Sequence, residues 1–147
     1  MRELKSTYGA PDNSANFMSS LYMLSSASPI RILVVEDEMF IRMDVVEMLD
    51  AARFDILEAA NADEAIQMLE RNSDIRLVFT DIDMPGSMNG LKLAAAVRDR
   101  WPPIRIIATS GHFKVQAGDL PADARFIAKP YQAAQIISAV RELTSVA

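Results

Sequence analysis

The chain has 147 residues, half of them hydrophobic, which is enough for one globular domain with a substantial core. Its net charge of −5 and the lack of a long basic run argue against binding to nucleic-acid phosphates. The absence of cysteine excludes disulfides and thiolate metal sites, and it fits a reducing compartment, which we expect to be the cytoplasm. No apolar stretch is long enough to span a bilayer, so we expect no membrane association.

The first 28 residues differ from the rest of the chain. They are rich in serine, and their apolar residues follow neither a helical nor a strand period. The apolar block at 17–24 is short and interrupted by serines, unlike that of a signal peptide. We interpret residues 1–28 as a flexible tail and residues 29–147 as one domain, and we expect removal of residues 1–27 to cost the core little.

From residue 29 onward, short apolar runs alternate with amphipathic segments. The runs predict five strands, at 30–35, 55–58, 77–80, 104–108 and 125–128. The amphipathic segments predict helices at 39–50, from 61 to 69, at 91–101, and from 133 to the end of the chain. Asn61 would cap the second of these helices, with Glu64 as its reciprocal partner. A further helical slot at 113–124 is poor, because Gly118 and Pro121 interrupt it. This alternation predicts an α/β fold, a parallel sheet with helices on both faces.

Polar residues stand at the carboxyl ends of four predicted strands. They are, in chain order, Glu36 and Asp37, Asp81, Thr109 and Ser110, and Lys129. Taken alone, Asp81 is explained equally well by a turn that ends the strand as by a functional role. The carboxyl ends of parallel strands share one edge of the sheet, however, and open α/β sheets bind their ligands there. We therefore expect three carboxylates, a hydroxyl group and an ammonium group to lie close together.

Such a cluster is suited to phosphoryl chemistry. Two carboxylates about 5 Å apart repel each other by about 3 kcal/mol at an effective dielectric constant near 20. A hard divalent cation removes this cost, and Mg²⁺ prefers carboxylate oxygens, a carbonyl group and waters. An aspartate can act as a nucleophile toward phosphorus, while Mg²⁺, a lysine and a hydroxyl donor neutralise the transferred charge. The set therefore predicts a phosphoryl-acceptor site.

The ordered motifs resemble the receiver domain of bacterial two-component response regulators. The resemblance covers residue 30 to the C-terminus and rests on Glu36-Asp37, Asp81-Ile82-Asp83-Met84-Pro85-Gly86 with Asn89-Gly90, Thr109-Ser110-Gly111-His112, and Lys129-Pro130-Tyr131. It implies a flavodoxin-like sheet with strand order 2-1-3-4-5. It also implies a single-domain, chemotaxis-regulator-like protein that accepts phosphate from a histidine kinase or a histidine phosphotransfer protein.

The resemblance assigns a role to each matching residue. Asp81 would be the phosphoacceptor, and Lys129 would pair with the phosphoryl oxygens. The peptide bond between Lys129 and Pro130 would be cis. Glu36, Asp37, Asp81 and the backbone carbonyl of Asp83 would hold Mg²⁺. The side chain of Asp83 we interpret as a solvated loop acid. We expect self-phosphorylation and slow autodephosphorylation, so the protein would not be an enzyme in the usual sense.

The resemblance also implies how the signal leaves the domain. Ser110 would be the switch hydroxyl, with Thr109 as the alternative, and Phe126 would be the aromatic switch residue. Because no output domain is expected after Leu143, an unknown downstream protein would read the surface 111–134. A homodimer would use the same face, formed by the fourth helical slot, the fifth strand and the last helix.

The sequence departs from the family pattern in three places. Ser87 lengthens the loop before Gly90 by one residue, the slot at 113–124 is irregular, and the tail has no counterpart in the family.

Two other functions are alternatives to this interpretation. A phosphorylation-independent docking module is one alternative, although it would be expected to lose the acceptor or the lysine. A haloacid dehalogenase-type phosphatase is the other, because Asp81-Ile82-Asp83 resembles its Asp-x-Asp motif; its acidic metal pair, however, follows the lysine.

Overall fold

The computed structural model describes residues 29–86, 88–112 and 114–145. The predicted tail, the inserted Ser87 and Phe113 lie outside the described residues. The strands are β1 Arg31–Val35, β2 Asp55–Ala59, β3 Ile75–Asp81, β4 Arg105–Ser110 and β5 Arg125–Ala128. The helices within the described ranges are α1 Met39–Ala51, α2 Ala62–Arg71, α3 Gly90–Arg100 and α4 Ala133–Thr144. None of these helices is long and apolar enough to cross a membrane.

All five strands are parallel and lie in the order β2-β1-β3-β4-β5, which confirms the predicted flavodoxin-like fold. The central strand β3 buries every residue except Arg76, as expected for a strand covered on both faces. Val35 pairs with Thr80, and Asp81 pairs with Thr109. The carboxyl ends of β1, β3 and β4 therefore meet at one edge.

Alternate residues of the strands supply two hydrophobic cores, one on each face of the sheet. Val78 packs on one face, together with apolar residues of α2 and α3. Leu77 and Phe79 pack on the other face, against α1 and α4. Since side chains of a strand point alternately to the two faces, a single apolar run can serve both cores. This explains the continuous hydrophobic sequence of β3.

The strand β3 begins at Ile75, two residues before the predicted start at 77. The charged Arg76 interrupts the apolar run, and this misled the sequence-based assignment. In the structure Arg76 points to the protein surface, and its guanidinium group donates a hydrogen bond of 3.0 Å to the carbonyl of Thr144. The buried neighbour Ile75 pairs with Arg31 of β1.

The predicted cap of α2 is present with one change of partner. The Asn61 side chain accepts a hydrogen bond of 2.8 Å from the backbone N–H of Glu64. The Glu64 carboxylate accepts its own bond, also of 2.8 Å, from the N–H of Ala60 rather than from that of Asn61. The reciprocal arrangement still satisfies two backbone donors at the start of the helix.

The connection between β4 and β5 contains no helix among its described residues, 111–112 and 114–124. Turns replace it: the Asp119 carboxylate accepts a hydrogen bond of 2.7 Å from the N–H of Gln116, and Gly118 has a φ of +93°. Leu120 and Ala124 pack against the core on the α2–α3 face. The interruptions noted in the sequence therefore correspond to an irregular segment.

Gly90, the first residue of α3, lies against the backbone at the end of β3. A Cβ atom at this position would lie 2.1 Å from the carbonyl oxygen of Asp81 and 2.6 Å from the Cα atom of Ile82. Both neighbours are backbone atoms, which cannot move aside as a flexible side chain could. Only glycine allows the start of α3 to lie this close to Asp81.

Replacing Gly90 with alanine should lower the free energy of unfolding by about 1–3 kcal/mol, because the added methyl group overpacks a rigid contact. Gly111→Ala is the matched control, since its Cβ would meet only the Lys129 side chain at an ordinary 3.7 Å. That variant should stay within about 0.5 kcal/mol of wild type. Urea denaturation of the three proteins measures the difference, and equal stabilities would show that the helix start moves freely.

Candidate functional site

Three carboxylates meet at the carboxyl edge of the sheet, as predicted. Glu36 follows β1, Asp37 follows it in turn, and Asp81 ends β3. One oxygen atom from each of the three lies within 4.8 Å of the others. The backbone N–H of Glu36 donates to the carbonyl of Ala59 at 3.1 Å, so β1 stays attached to β2 one residue past its end. This bond fixes where the Glu36 side chain begins.

Lys129 brings the positive charge to the cluster. Its ammonium nitrogen lies 3.3 Å from Asp81 Oδ1 and 3.7 Å from Glu36 Oε1. The backbone N–H of Lys129 donates to the carbonyl of Ser110 at 3.0 Å, which holds the residue beside the end of β4. The following bond to Pro130 is cis, as the motif implied. The sheet therefore places one cation between two carboxylates.

The two carboxylates that contact Lys129 are buried, whereas Asp37 is exposed. Glu36 and Asp81 each keep only 4% of their surface accessible. Although Asp81 Oδ1 lies within ion-pairing distance of Lys129, it has no partner in hydrogen-bonding geometry. Buried polar oxygens are nearly always satisfied. An unsatisfied buried carboxylate oxygen beside two further carboxylates fits a hard cation such as Mg²⁺, which prefers oxygen ligands.

The same burial shifts the acid–base properties of the site. Burial raises the pKa of Glu36 from 4.5 to about 7, and the charge of Asp81 adds to the rise while Lys129 and the N–H of Glu38 oppose it. Burial also raises the pKa of Asp81, against the opposing effect of Lys129. One ammonium group therefore does not compensate fully for two buried carboxylates.

Asp83 makes a contact that the sequence did not predict. Its side chain is exposed, as expected of a loop acid, but it is not merely solvated. Its Oδ2 atom accepts a hydrogen bond of 2.5 Å from the hydroxyl group of Ser110. The Ser110 oxygen in turn accepts a bond of 3.1 Å from the backbone N–H of His112. The two residues are 27 positions apart, and no local sequence signal pairs them.

These side chains surround a cleft of about 360 Å³ at the sheet edge. The cleft is lined by Glu36, Asp37, Glu38, Ile41, Asp81, Asp83, Gly111, His112 and Lys129. Thr109 lies below it, buried, with its carbonyl accepting a bond of 2.8 Å from the N–H of Ile82. Phe126 is half-buried in β5 beside Ala108. The structure thus brings the acidic residues and Lys129 together and leaves Thr109 and Phe126 outside the cleft.

The family model for the response regulator receiver domain matches residues 32–141. The chain belongs to this family. The receiver domain is therefore the unit that carries the carboxylate cluster, because the match includes Glu36, Asp81 and Lys129.

The proteins that are similar to this chain differ in how much of their own length the similarity covers. The sensor kinase CckA of Brucella abortus (strain 2308) is 34% identical over 116 residues, which cover 76% of this chain but only 12% of the kinase. The chemotaxis protein CheY of Bacillus subtilis (strain 168) is 32% identical over 116 residues, covering 76% of this chain and 95% of CheY. The crystal structure of a response regulator receiver protein from Sinorhizobium medicae WSM419 has a TM-score of 0.75 at 30% identity, covering 80% of this chain and 96% of that chain.

The pKa of Glu36 predicts how the stability of the metal-free receiver domain depends on pH. Because the folded state binds a proton that the unfolded state releases between pH 4.5 and about 7, the free energy of unfolding should fall as pH rises through this window. The slope contributed by one such group is at most about 1.4 kcal/mol per pH unit. Glu36→Gln should flatten the slope, as measured by urea denaturation in EDTA.

Asp81 contributes to the same slope, so Glu36→Gln should reduce it without abolishing it. Glu47→Gln, which removes an exposed carboxylate from α1, is the control and should leave the slope unchanged. An unaltered slope in Glu36→Gln would contradict the assignment of the bound proton to Glu36.

Proposed function

We propose that this receiver domain accepts a phosphoryl group on Asp81 from a histidine kinase or a histidine phosphotransfer protein and acts in a phosphorelay. The observation that carries the proposal is the environment of Asp81. Its carboxylate is buried at the end of β3, keeps one oxygen without a hydrogen bond, and lies beside Lys129 and two further carboxylates. Membership of the receiver family supports the same role. The cytoplasm is the compartment in which we place this exchange.

In the proposed transfer, a carboxylate oxygen of Asp81 forms a bond to phosphorus as the bond from phosphorus to the donor nitrogen breaks. The bonding electron pair returns to that nitrogen. Such transfers depend mainly on positioning and charge neutralisation. Lys129, 3.3 Å from Asp81, is placed to pair with the phosphoryl oxygens. Glu36, Asp37, Asp81 and the backbone carbonyl of Asp83 would hold Mg²⁺, which when bound neutralises negative charge on the carboxylates and the phosphoryl group.

The other two functions have less support. A docking module that never accepts phosphate has no need for two buried carboxylates with raised pKa values around one lysine. A haloacid dehalogenase-type phosphatase needs an acidic pair after the lysine. Glu142 is the only acidic residue after Lys129 in the sequence. It lies near the end of α4 and pairs at 2.9 Å with Arg125 of β5. We therefore expect the domain to hydrolyse only the phosphoryl group carried by its own Asp81.

The surface near the cleft suits a protein as the phosphoryl donor. The first turns of α1 expose Met39, Phe40 and Met43, whose exposed fractions are 53%, 68% and 53%. Their neighbour Ile41 lines the cleft. Clustered exposed apolar side chains are typical of protein-interaction surfaces. We propose that the donor covers this part of α1 while its phosphohistidine enters the cleft.

We further propose that the signal leaves through the surface 111–134. Phosphorylation adds close to two negative charges beside Lys129 and draws the Ser110 hydroxyl group toward them. Phe126 lies on the neighbouring strand and is only half-buried, and we propose that it changes rotamer when Ser110 moves. The adjoining segment lacks a helix in its described residues and is therefore suited to rearrange. A downstream protein, or a second copy of the chain, would read this change.

Incubation with acetyl phosphate and Mg²⁺ should add one phosphoryl group to the protein, because the proposed site can take phosphate from a small donor. Intact-mass spectrometry measures the addition, and hydroxylamine should remove it as expected for an acyl phosphate. Asp81→Asn and EDTA should each abolish labelling. Asp99→Asn, which removes an exposed carboxylate from α3, is the control and should label like wild type. Undiminished labelling of Asp81→Asn would exclude Asp81 as the acceptor.

Beryllofluoride, a stable mimic of the phosphoryl group, should change the backbone amide shifts of residues 111–134 as well as those around Asp81. The reason is the proposed displacement of Ser110 and Phe126. Two-dimensional NMR with Mg²⁺, with and without beryllofluoride, measures the shifts, and Asp81→Asn provides the control without ligand binding. Changes confined to the loops beside Asp81, or extending instead over α1, would contradict the proposed output surface.

A further inference from the structure

The hydroxyl group of Ser110 both donates and accepts a hydrogen bond in the structure. It is 2% exposed, donates to Asp83 Oδ2 at 2.5 Å, and accepts from the N–H of His112 at 3.1 Å. A hydroxyl group carries a single proton and can donate it in only one direction at a time. The donor capacity of Ser110 is therefore directed to Asp83.

The acceptor is a carboxylate, which makes the bond costly to give up. Hydrogen bonds to ionised acceptors are shorter and roughly twice as strong as those between neutral groups. The N–H of His112 also holds the Ser110 oxygen in place, so the hydroxyl group is oriented from both sides. For Ser110 to donate to a phosphoryl group on Asp81, it must first leave Asp83.

Asp83 lines the same cleft as Asp81 and Lys129, and the Ser110 that it binds directly follows Thr109, the residue paired with Asp81 across the sheet. The Asp83 carboxylate and a phosphoryl group on Asp81 would therefore compete for one hydroxyl group. Both acceptors are anionic. Moving the hydroxyl group from Asp83 to a phosphoryl group therefore releases less free energy than the same hydrogen bond would release if the hydroxyl group had no earlier partner. Releasing the Ser110 hydroxyl group from Asp83 costs free energy, and by linkage this cost lowers the affinity of the domain for a phosphoryl mimic.

From this geometry we infer that Asp83 is a positioning residue: its carboxylate holds the Ser110 hydroxyl group in the unphosphorylated domain and competes with the phosphoryl group for it. The inference rests on the proposed function of Asp81 as phosphoacceptor. It assigns to the Asp83 side chain a role separate from the metal-binding role proposed for the Asp83 backbone carbonyl. Asp83 thereby sets how completely phosphorylation switches the domain.

A double-mutant cycle separates this competition from simple charge repulsion. Asp83→Ala removes both the competing acceptor and a negative charge, and it should tighten beryllofluoride binding in the presence of Mg²⁺. In the Ser110→Ala background there is no hydroxyl group to release, so only the charge effect should remain. We expect the gain in affinity to be about tenfold to a hundredfold larger when Ser110 is present, as for loss of a hydrogen bond to a charged group.

Glu38→Gln is the matched control, because Glu38 is another exposed carboxylate that lines the cleft. Its effect on beryllofluoride affinity should be the same with and without the Ser110 hydroxyl group. Asp83→Asn, which loses the charge but keeps an oxygen acceptor, should fall between wild type and Asp83→Ala. NMR titration of backbone amides measures all the affinities. Equal gains for Asp83→Ala in both backgrounds, or no gain, would overturn the inference.

A second cycle, measured as free energy of unfolding without ligand or metal, tests the contact itself. Asp83→Ala and Ser110→Ala should be coupled, so that the double variant loses less stability than the sum of the two single variants. Additive losses would overturn the inference whatever the affinity of the site. Coupled losses in a protein that binds no beryllofluoride would instead refute the proposed function, and the competition with it.

Discussion

The ammonium group of Lys129 is shared by two buried carboxylates, and the organisation of the sheet edge depends on this unequal pairing. Glu36 and Asp81 both contact it, while Asp37 adds a third negative charge nearby. Taking a carboxylate out of water is unfavourable unless other groups compensate for the lost hydration. The raised pKa values of both buried carboxylates show that compensation is incomplete. The fold therefore stores an electrostatic cost that binding of positive charge, by Mg²⁺ in the proposed function, would relieve.

Backbone hydrogen bonds hold the charged residues in this unfavourable arrangement. The ladders of the sheet continue one residue past the strand ends: Glu36 bonds to β2, Ile82 bonds to Thr109, and Lys129 bonds to Ser110. Each charged side chain thus starts from a backbone position as well defined as the sheet itself. Gly90 adds a tight contact behind Asp81. Groups that repel each other remain close because moving them apart would break these bonds.

The sequence predicted the fold and the charged cluster because both follow from short-range patterns. Apolar runs, turn residues and polar strand ends are local signals, and parallel topology alone brings the strand ends together. The early start of β3 was missed because Arg76 is charged but lies at the surface. The contact of Asp83 with Ser110 could not be predicted, since it depends on the side-chain rotamers of a loop residue and of the last residue of β4, which the sequence does not specify. The irregular segment before β5 was anticipated from Gly118 and Pro121.

The strand order also determines when, during synthesis, such a site can exist. Asp81 lies in the middle of the sheet, while its charged neighbours come from residue 36 on one side and from residue 129 on the other. A chain still being translated through β4 carries the buried acids without their lysine. In the proposed function, competence to accept phosphate would therefore be a late property of the nascent chain, acquired only when β5 pairs with β4. A kinase that requires Lys129 in place would discriminate against unfinished or partly unfolded copies without any separate mechanism of quality control.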